Sequence, residues 1–169
     1  MKHKKPPSEL EAIIFDWGDT LMYDYKDKEG PMCTWDSVKV IEGVTECLAH
    51  LSKKYKLFVG SNSGYSDTEM LIKALSRGGI NTFFSGFFAS KDMPYEKPDP
   101  RFFKYILEKT AYTPSKVAMC GNDYEKDIVA AKKAGLYTLF YYNKPLKTPY
   151  PAADIIFDDF YTLTKVFEW

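Results

Sequence analysis

The sequence predicts an α/β fold in which helices cover both faces of a doubly wound, parallel sheet, giving three layers. Short apolar runs alternate along the chain with segments whose apolar residues recur at helical spacing, which is the pattern of strand and helix units. Polar residues cluster directly after several of these runs, where the strands of a parallel sheet end and ligands bind. A length of 169 residues suits one buried core, so we expect residues 1–169 to form a single domain.

The first half of the chain predicts two strands and two helices. Each strand is a short apolar run, and each helix carries apolar residues three and four positions apart on one face. Ser66 or Asp67 can cap the second helix, and Gly78 with Gly79 stops it. The predicted elements are a strand over 12–17, a loop over 23–37, a helix over 44–55, a strand over 56–60 and a helix over 66–76.

The second half repeats this alternation. Three prolines hold the chain extended over 94–100 before a helix begins near Arg101, and Gly135 closes the helix that follows it. The predicted elements are strands over 83–89, 117–120, 137–142 and 154–157, and helices from about 101, over 125–134 and over 161–167.

Composition limits the classes of partner. Lys plus Arg and Asp plus Glu both total 23, so the formal net charge is zero and no global field recruits nucleic acid or an anionic membrane. The basic start lacks an apolar run, so we predict neither a signal peptide nor a membrane span and interpret residues 1–10 as a flexible tail. The three cysteines, Cys33, Cys47 and Cys120, lack metal-type spacing, which favours reduced thiols in the cytoplasm over disulfides or zinc.

Four polar motifs after predicted strands supply what phosphoryl transfer requires. The reaction needs a nucleophile, a cation near the phosphate, donors for its oxygens, and carboxylates to hold Mg²⁺. Each residue alone has a simpler interpretation, such as a turn former, a helix cap or a solvated lysine. Their convergence at one edge of the sheet favours a site, and the candidates are Asp16, Ser61 with Asn62, Lys97, and the polar residues of 122–127.

In this order the motifs resemble those of the haloacid dehalogenase (HAD) superfamily. Residues 15–21, FDWGDTL, are similar to its first motif, and 121–127, GNDYEKD, to its fourth. Ser61-Asn62 resembles the second motif and Lys97-Pro98-Asp99-Pro100 the third, so the likeness covers residues 13–135. The resemblance implies a HAD-like, Rossmann-like fold.

The resemblance also implies a role for each matching residue. Asp16 would be the nucleophile and a Mg²⁺ ligand, and Asp127 a second carboxylate ligand. Ser61, Asn62 and Lys97 would bind the phosphate, and the Gly18 carbonyl and Asn122 would complete the metal ligands from the protein. Mg²⁺ takes oxygen ligands in octahedral geometry, so water and substrate would fill the remaining positions.

Two departures from the family pattern bear on activity. The family's second carboxylate, two residues after the nucleophile, is Gly18 here, and loss of such a general acid and base costs about 10²- to 10⁴-fold in rate. Asp19 follows directly, but one residue along an extended chain reverses the side-chain direction. Asn122 stands where an Asp is frequent, and Asp123 is about as well explained as a helix cap as a ligand.

These observations predict a Mg²⁺-dependent phosphatase of the capless or minimally capped branch, acting through an aspartyl phosphate on an unidentified phosphate monoester. The segments around Ser61 leave no room for a large cap, so the open site would accept a phosphorylated small molecule or macromolecule, unless a homo-oligomer partner supplies a lid. One alternative is a catalytically impaired binding or regulatory protein, which Gly18 and Asn122 favour. A haloacid dehalogenase is the other alternative, disfavoured because its cap is missing.

Overall fold

The structure, a computed structural model, describes residues 5–168 and contains one sheet of six parallel strands. The strands are β1 (Ala12–Phe15), β2 (Lys56–Ser61), β3 (Gly86–Ala89), β4 (Val117–Gly121), β5 (Tyr137–Tyr141) and β6 (Ile155–Phe157). Their order across the sheet is β3-β2-β1-β4-β5-β6. The chain therefore winds outward from β1 in both directions, which confirms the predicted doubly wound, parallel sheet.

Five helices connect or follow these strands in the described residues. They are α1 (Val44–Leu51), α2 (Thr68–Arg77), α3 (Pro100–Thr110), α4 and α5 (Phe160–Val166), where α4 joins a π-helical turn, Tyr124–Val129, to an α-helical turn, Ala130–Lys133. The helices from α2 onward each begin after an Asp whose side chain accepts a backbone N–H of the first turn. The predicted elements are all present, with ends displaced by at most four residues.

Two apolar layers, one on each face of the sheet, fix the position of β1. Ile13 and Phe15 point into the layer under α1, α2 and α5, whereas Ala12 and Ile14 point into the layer under α3 and α4. All four β1 residues are buried. The strand is therefore covered on both sides, which confirms the three-layer arrangement.

The register of β1 places the first motif between two other strand ends. Phe15 lies opposite Val59 of β2 and Cys120 of β4. Asp16, the next residue, therefore leaves the sheet beside Gly60 and Gly121, at the point where the strand order reverses. Ligands bind at this position in open α/β sheets.

The loop predicted over 23–37 is held against the domain. It contains a 3₁₀ turn, Met32–Thr34, and Trp35 is buried at 8% exposure. The Arg77 guanidinium of α2 donates to the carbonyl of Trp35 at 2.6 Å and to that of Cys33 at 3.2 Å. This loop forms a fixed wall above the carboxyl ends of β1 and β2.

Three predictions about the chain as a whole can be compared with the structure: those on the tail, the cysteines and a membrane span. The first four residues of the tail predicted over 1–10 lie outside the described part, and the tail does not extend to Leu10, which is buried at 4% exposure. Cys47 and Cys120 are buried, Cys33 is partly exposed, and all three are free thiols. Within residues 5–168, no helix combines the length and the apolar character that crossing a bilayer requires.

Candidate active site

Lys97 lies at the base of the site, where its ammonium group contacts both predicted acidic residues. Its Nζ donates to Oδ1 of Asp127 at 2.6 Å, to Oδ1 of Asp16 at 2.8 Å and to the Gly60 carbonyl at 3.1 Å. The side chains of Lys97, Asp127 and Asp16 are only 2%, 1% and 11% exposed. Two carboxyl groups thus share one ammonium, and the cluster carries an excess of negative charge when both are ionised.

Burial and charge act in opposite directions on these groups. Burial alone would lower the pKa of Lys97, but the Asp127 and Asp16 carboxylates outweigh it and raise that pKa above its ordinary value. Burial and then the Asp16 charge raise the pKa of Asp127 to about 7, against the opposing effect of Lys97. Lys97 therefore remains a cation at neutral pH.

Asn62 fixes the backbone of Lys97. Its side-chain amide donates to the Lys97 carbonyl at 2.7 Å, and its Oδ1 accepts the Lys97 N–H at 2.9 Å. The peptide bond between Lys97 and Pro98 is cis, and Asp99 caps α3 immediately afterwards. The Asn62 side chain, predicted to bind substrate, is thus occupied in positioning Lys97, which leaves only its backbone N–H for a phosphate.

Thr20 links the first and fourth motifs. Its hydroxyl lies 3.1 Å from Oδ2 of Asp16 and 3.2 Å from Oδ1 of Asn122, and the residue has no exposed surface. The Asp16 N–H also donates to the Cys120 carbonyl at 2.9 Å, which ties the end of β1 to β4. No role could be predicted for Thr20 beyond its place in the first motif, because a hydroxyl four residues after an Asp is too common a pattern to be informative.

Asp127 is held by the turn that precedes it. Its Oδ2 accepts the Asp123 N–H at 3.0 Å, while Oδ1 of Asp123 accepts the Lys126 N–H at 2.9 Å. Asp123 therefore caps α4, which is one of the two roles that the sequence left open. Gly121 leaves room for this arrangement, because a Cβ there would lie 2.3 Å from Oδ2 and 2.5 Å from Cβ of Asp127.

The predicted site residues line one open cleft of about 190 Å³ at the carboxyl edge of the sheet, which we call the site cleft. Its wall contains Asp16, Gly18, Ser61, Asn62, Lys97, Asn122 and Asp127, together with Asp19, Asp24, Lys26, Asp123 and Lys126. The structure therefore brings together every residue to which the sequence assigned a role. Asp24 was not nominated, because it lies in a loop without any periodic or motif signal.

Oxygen atoms dominate the donors available to a cation in the site cleft. Asp16 and Asp127 offer carboxylates, Asn122 an amide oxygen and Gly18 a backbone carbonyl, and hard divalent cations prefer such ligands. No three His, Cys, Asp or Glu side chains within residues 5–168 converge as a metal centre. A cation here would therefore depend on neutral oxygens and water as well as on the two carboxylates.

A second cleft of about 230 Å³, which we call the side cleft, opens next to the first. The 23–37 loop and the turn after β2 form its walls, and Trp17, Trp35 and Tyr65 supply aromatic surface. The two clefts share Gly18, Asp24, Ser61 and Asn62. A molecule extending from the site cleft would therefore enter a partly apolar space.

Comparison with known proteins points to one family. The family model for haloacid dehalogenase-like hydrolases matches residues 13–141. A solved structure of an uncharacterized protein from Listeria monocytogenes serotype 4b is 26% identical, with a TM-score of 0.82 over 92% of this chain and 96% of that one.

Two curated relatives are longer than this chain. YfnB of Bacillus subtilis, provisionally named a HAD-hydrolase, is 28% identical over 59% of this chain and 42% of its own length. Its magnesium-bound crystal structure matches with a TM-score of 0.66, at 21% identity, over 75% of this chain and 54% of that one. Glyceraldehyde 3-phosphate phosphatase of Methanothermobacter thermautotrophicus is 35% identical over 50% of this chain and 36% of its own length. The chain thus spans less than half of either curated relative.

Proposed function

The chain belongs to the haloacid dehalogenase-like hydrolases, and on that premise we propose that it is a Mg²⁺-dependent phosphatase that works through an aspartyl phosphate. The observation that carries the proposal is the Lys97 ammonium, fixed 2.8 Å from the Asp16 carboxylate at the end of β1. A buried cation beside a carboxylate nucleophile is suited to a substrate whose negative charge must approach that nucleophile.

Six residues of the site cleft have a part in this reaction. Asp16 attacks phosphorus, while Lys97 and the Ser61 hydroxyl hold the phosphate oxygens. Asp16, Asp127, Asn122 and the Gly18 carbonyl would hold Mg²⁺, which supplies positive charge against the phosphate when bound. Their oxygen chemistry fits this ion, and Thr20 holds the donors from two motifs together.

The relatives support the class of reaction but not a substrate. The Methanothermobacter relative is a phosphatase of glyceraldehyde 3-phosphate, and the YfnB crystal contains magnesium. Because the chain spans only 36% and 42% of these two relatives, their substrates are test compounds here and not assignments.

The open cleft favours a substrate that needs no enclosing cap. In the described residues, one 3₁₀ turn lies between β1 and α1, and α2, β3 and two 3₁₀ turns lie between Ser61 and Lys97. A phosphorylated small molecule that reaches into the side cleft and a phosphorylated macromolecule both fit such a site. A second copy of the chain is the alternative source of a lid, and the three free thiols support a cytoplasmic location.

Hydrolysis of p-nitrophenyl phosphate, with Mg²⁺ and with EDTA, tests the proposal. We expect metal-dependent turnover at least about 100-fold above that of Asp16→Asn, since the nucleophile is removed. Asp27→Asn is the matched control, because it removes an exposed carboxylate that lines neither cleft.

Other outcomes distinguish the remaining candidates. A wild-type protein no more active than Asp16→Asn, yet stabilised by Mg²⁺, would instead favour a binding or regulatory role, for which Gly18 is the supporting observation. Chloride release from 2-chloropropionate in EDTA would favour a dehalogenase.

A further inference from the structure

Asp24 lies where the site cleft and the side cleft meet. Of the four residues that line both clefts, Gly18, Asp24, Ser61 and Asn62, it alone carries a carboxyl group. A phosphate monoester with its phosphorus at Asp16 and its organic part in the side cleft would place its bridging oxygen at this junction. A group that exchanges protons with that oxygen must lie there too.

Asp24 also occupies space that opens because residue 18 is glycine. A Cβ built on Gly18 would lie 3.2 Å from Cβ and 3.4 Å from Oδ2 of Asp24. The Asp24 carboxylate therefore stands beside the path of any side chain that left the backbone at position 18. A larger residue at position 18 would crowd it, and the absence of a side chain there lets it face the cleft.

Two neighbours hold Asp24 in place without covering it. Oδ1 of Asp19 accepts the Asp24 N–H at 2.9 Å, and Asp19 itself has a φ of 57°, so the turn folds back on itself. Lys26 pairs with Oδ2 of Asp24 at 2.6 Å, but the Lys26 side chain is 76% exposed. Exposed ion pairs are weak, so a substrate can displace this lysine, while Asp19 keeps the Asp24 backbone fixed.

We propose that Asp24 is the acid and base of the hydrolysis, and this inference rests on the phosphatase function proposed above. As Asp16 bonds to phosphorus, the bond to the leaving oxygen breaks and the Asp24 carboxyl group gives its proton to that oxygen. Water then attacks phosphorus, the Asp24 carboxylate accepts the water proton, and the Asp16–phosphorus bond breaks to give inorganic phosphate. Each turnover returns both aspartates to their starting states.

Two aryl phosphates with different leaving groups test the proposal. Phenoxide needs a proton as it leaves, whereas 2,4-dinitrophenolate is stable without one. For Asp24→Asn we expect steady-state hydrolysis of phenyl phosphate to fall by about 100-fold or more. Release of dinitrophenolate in the first turnover should stay within about threefold of wild type, and later turnovers should be slow, so phosphorylated protein accumulates and is detected by mass spectrometry.

Further variants separate a catalytic role from a structural one. Asp27→Asn, which removes a neighbouring exposed carboxylate, should hydrolyse both substrates at about the wild-type rate, and thermal unfolding of Asp24→Asn and Asp27→Asn should match that of wild type. Gly18→Asp in an Asp24→Ala protein moves the carboxyl group to position 18. This double variant should hydrolyse phenyl phosphate at least about tenfold faster than Asp24→Ala.

The results that would overturn the proposal are specific. The first is that Asp24→Asn loses the same activity with both leaving groups in the first turnover. The second is that Asp24→Asn loses no more activity than Asp27→Asn, and the third is that Gly18→Asp in the Asp24→Ala protein is no more active than Asp24→Ala alone. If the wild-type protein hydrolyses neither substrate, the phosphatase function fails and this inference fails with it. If wild-type activity depends on Asp16 but not on Asp24, only the inference fails.

Discussion

Replacing Gly121 with alanine should displace the most deeply buried carboxylate of the site. The added Cβ would lie 2.3 Å from Oδ2, 2.4 Å from Cγ and 2.5 Å from Cβ of Asp127. Rotating the side chain cannot relieve the contact, because Cβ of Asp127 is itself too close. The backbone of β4 or of the π-helical turn must therefore move.

The contacts of Asp127 set the magnitude of the expected loss. Its carboxylate accepts from Lys97 at 2.6 Å and from the Asp123 N–H at 3.0 Å, and each hydrogen bond to a charged group contributes about 1.5–3 kcal/mol. Overpacking a tight site adds about 1–3 kcal/mol, so we expect the free energy of unfolding to fall by about 3 kcal/mol or more. For a chain of this size that corresponds to a midpoint lower by roughly 6–12 °C.

Urea unfolding and phosphatase assays with varied Mg²⁺ measure the two consequences separately. Gly79→Ala is the control, because Gly79 has a φ of 73° but nothing lies within 4 Å of its added Cβ. It should lose only about 1 kcal/mol, from the backbone conformation alone. If Gly121→Ala unfolds within about 1 kcal/mol of wild type and keeps its Mg²⁺ dependence, the packing argument for Asp127 is wrong.

Three further predictions concern other parts of the domain. Lys97→Met leaves two carboxylates facing each other, so the free energy of unfolding, measured with urea in EDTA, should fall by about 3–5 kcal/mol. A fall of less than about 1 kcal/mol would contradict the ion-pair geometry. Asn62→Ala frees the Lys97 backbone, so kcat should fall more than KM rises in phosphatase assays; the reverse would assign Asn62 to substrate binding. Burial raises the pKa of Cys47 to about 12, so above about pH 9 the unfolded thiol ionises first and stability should fall by up to about 1.4 kcal/mol per pH unit, a slope that Cys47→Ala should reduce.

The order of strands and helices could be predicted because each signal is local. An apolar run such as 12–15 can be buried on both faces only in the centre of a parallel sheet, and an Asp such as Asp67 or Asp159 marks a helix start by its own hydrogen bond. The π-helical turn was not predicted, since its i to i+5 bonds leave no sequence period that differs from an α-helix over six residues. The ends of the strands could not be predicted either, because a strand ends where its neighbouring strand ends, which a local pattern does not show.

The sequence predicted which residues line the site, but it did not predict what each of them contacts. Asp16, Lys97 and Asp127 follow strands, so the topology alone brings them to one edge. The Asn62 side chain was predicted to bind substrate, but it bonds the backbone of Lys97 instead. This contact depends on the geometry of the 96–100 loop, which sequence spacing does not determine. The position of Asp24 depends on how the 23–37 loop packs against the domain. Long-range contacts such as those of Arg77 determine this packing.

Charge supports the proposal that this site works with a divalent cation even though it contains a buried lysine. When both are ionised, the Asp16 and Asp127 carboxylates outnumber the Lys97 ammonium, so a phosphate dianion would bring the cluster to three units of negative charge in a largely buried space. Charges that close interact strongly away from bulk water, and one lysine cannot offset them. A divalent cation returns the total to its value before the substrate arrived. The acid that serves the leaving group then belongs outside this cluster, and the Asp24 side chain, 41% exposed at the mouth of both clefts, meets that requirement.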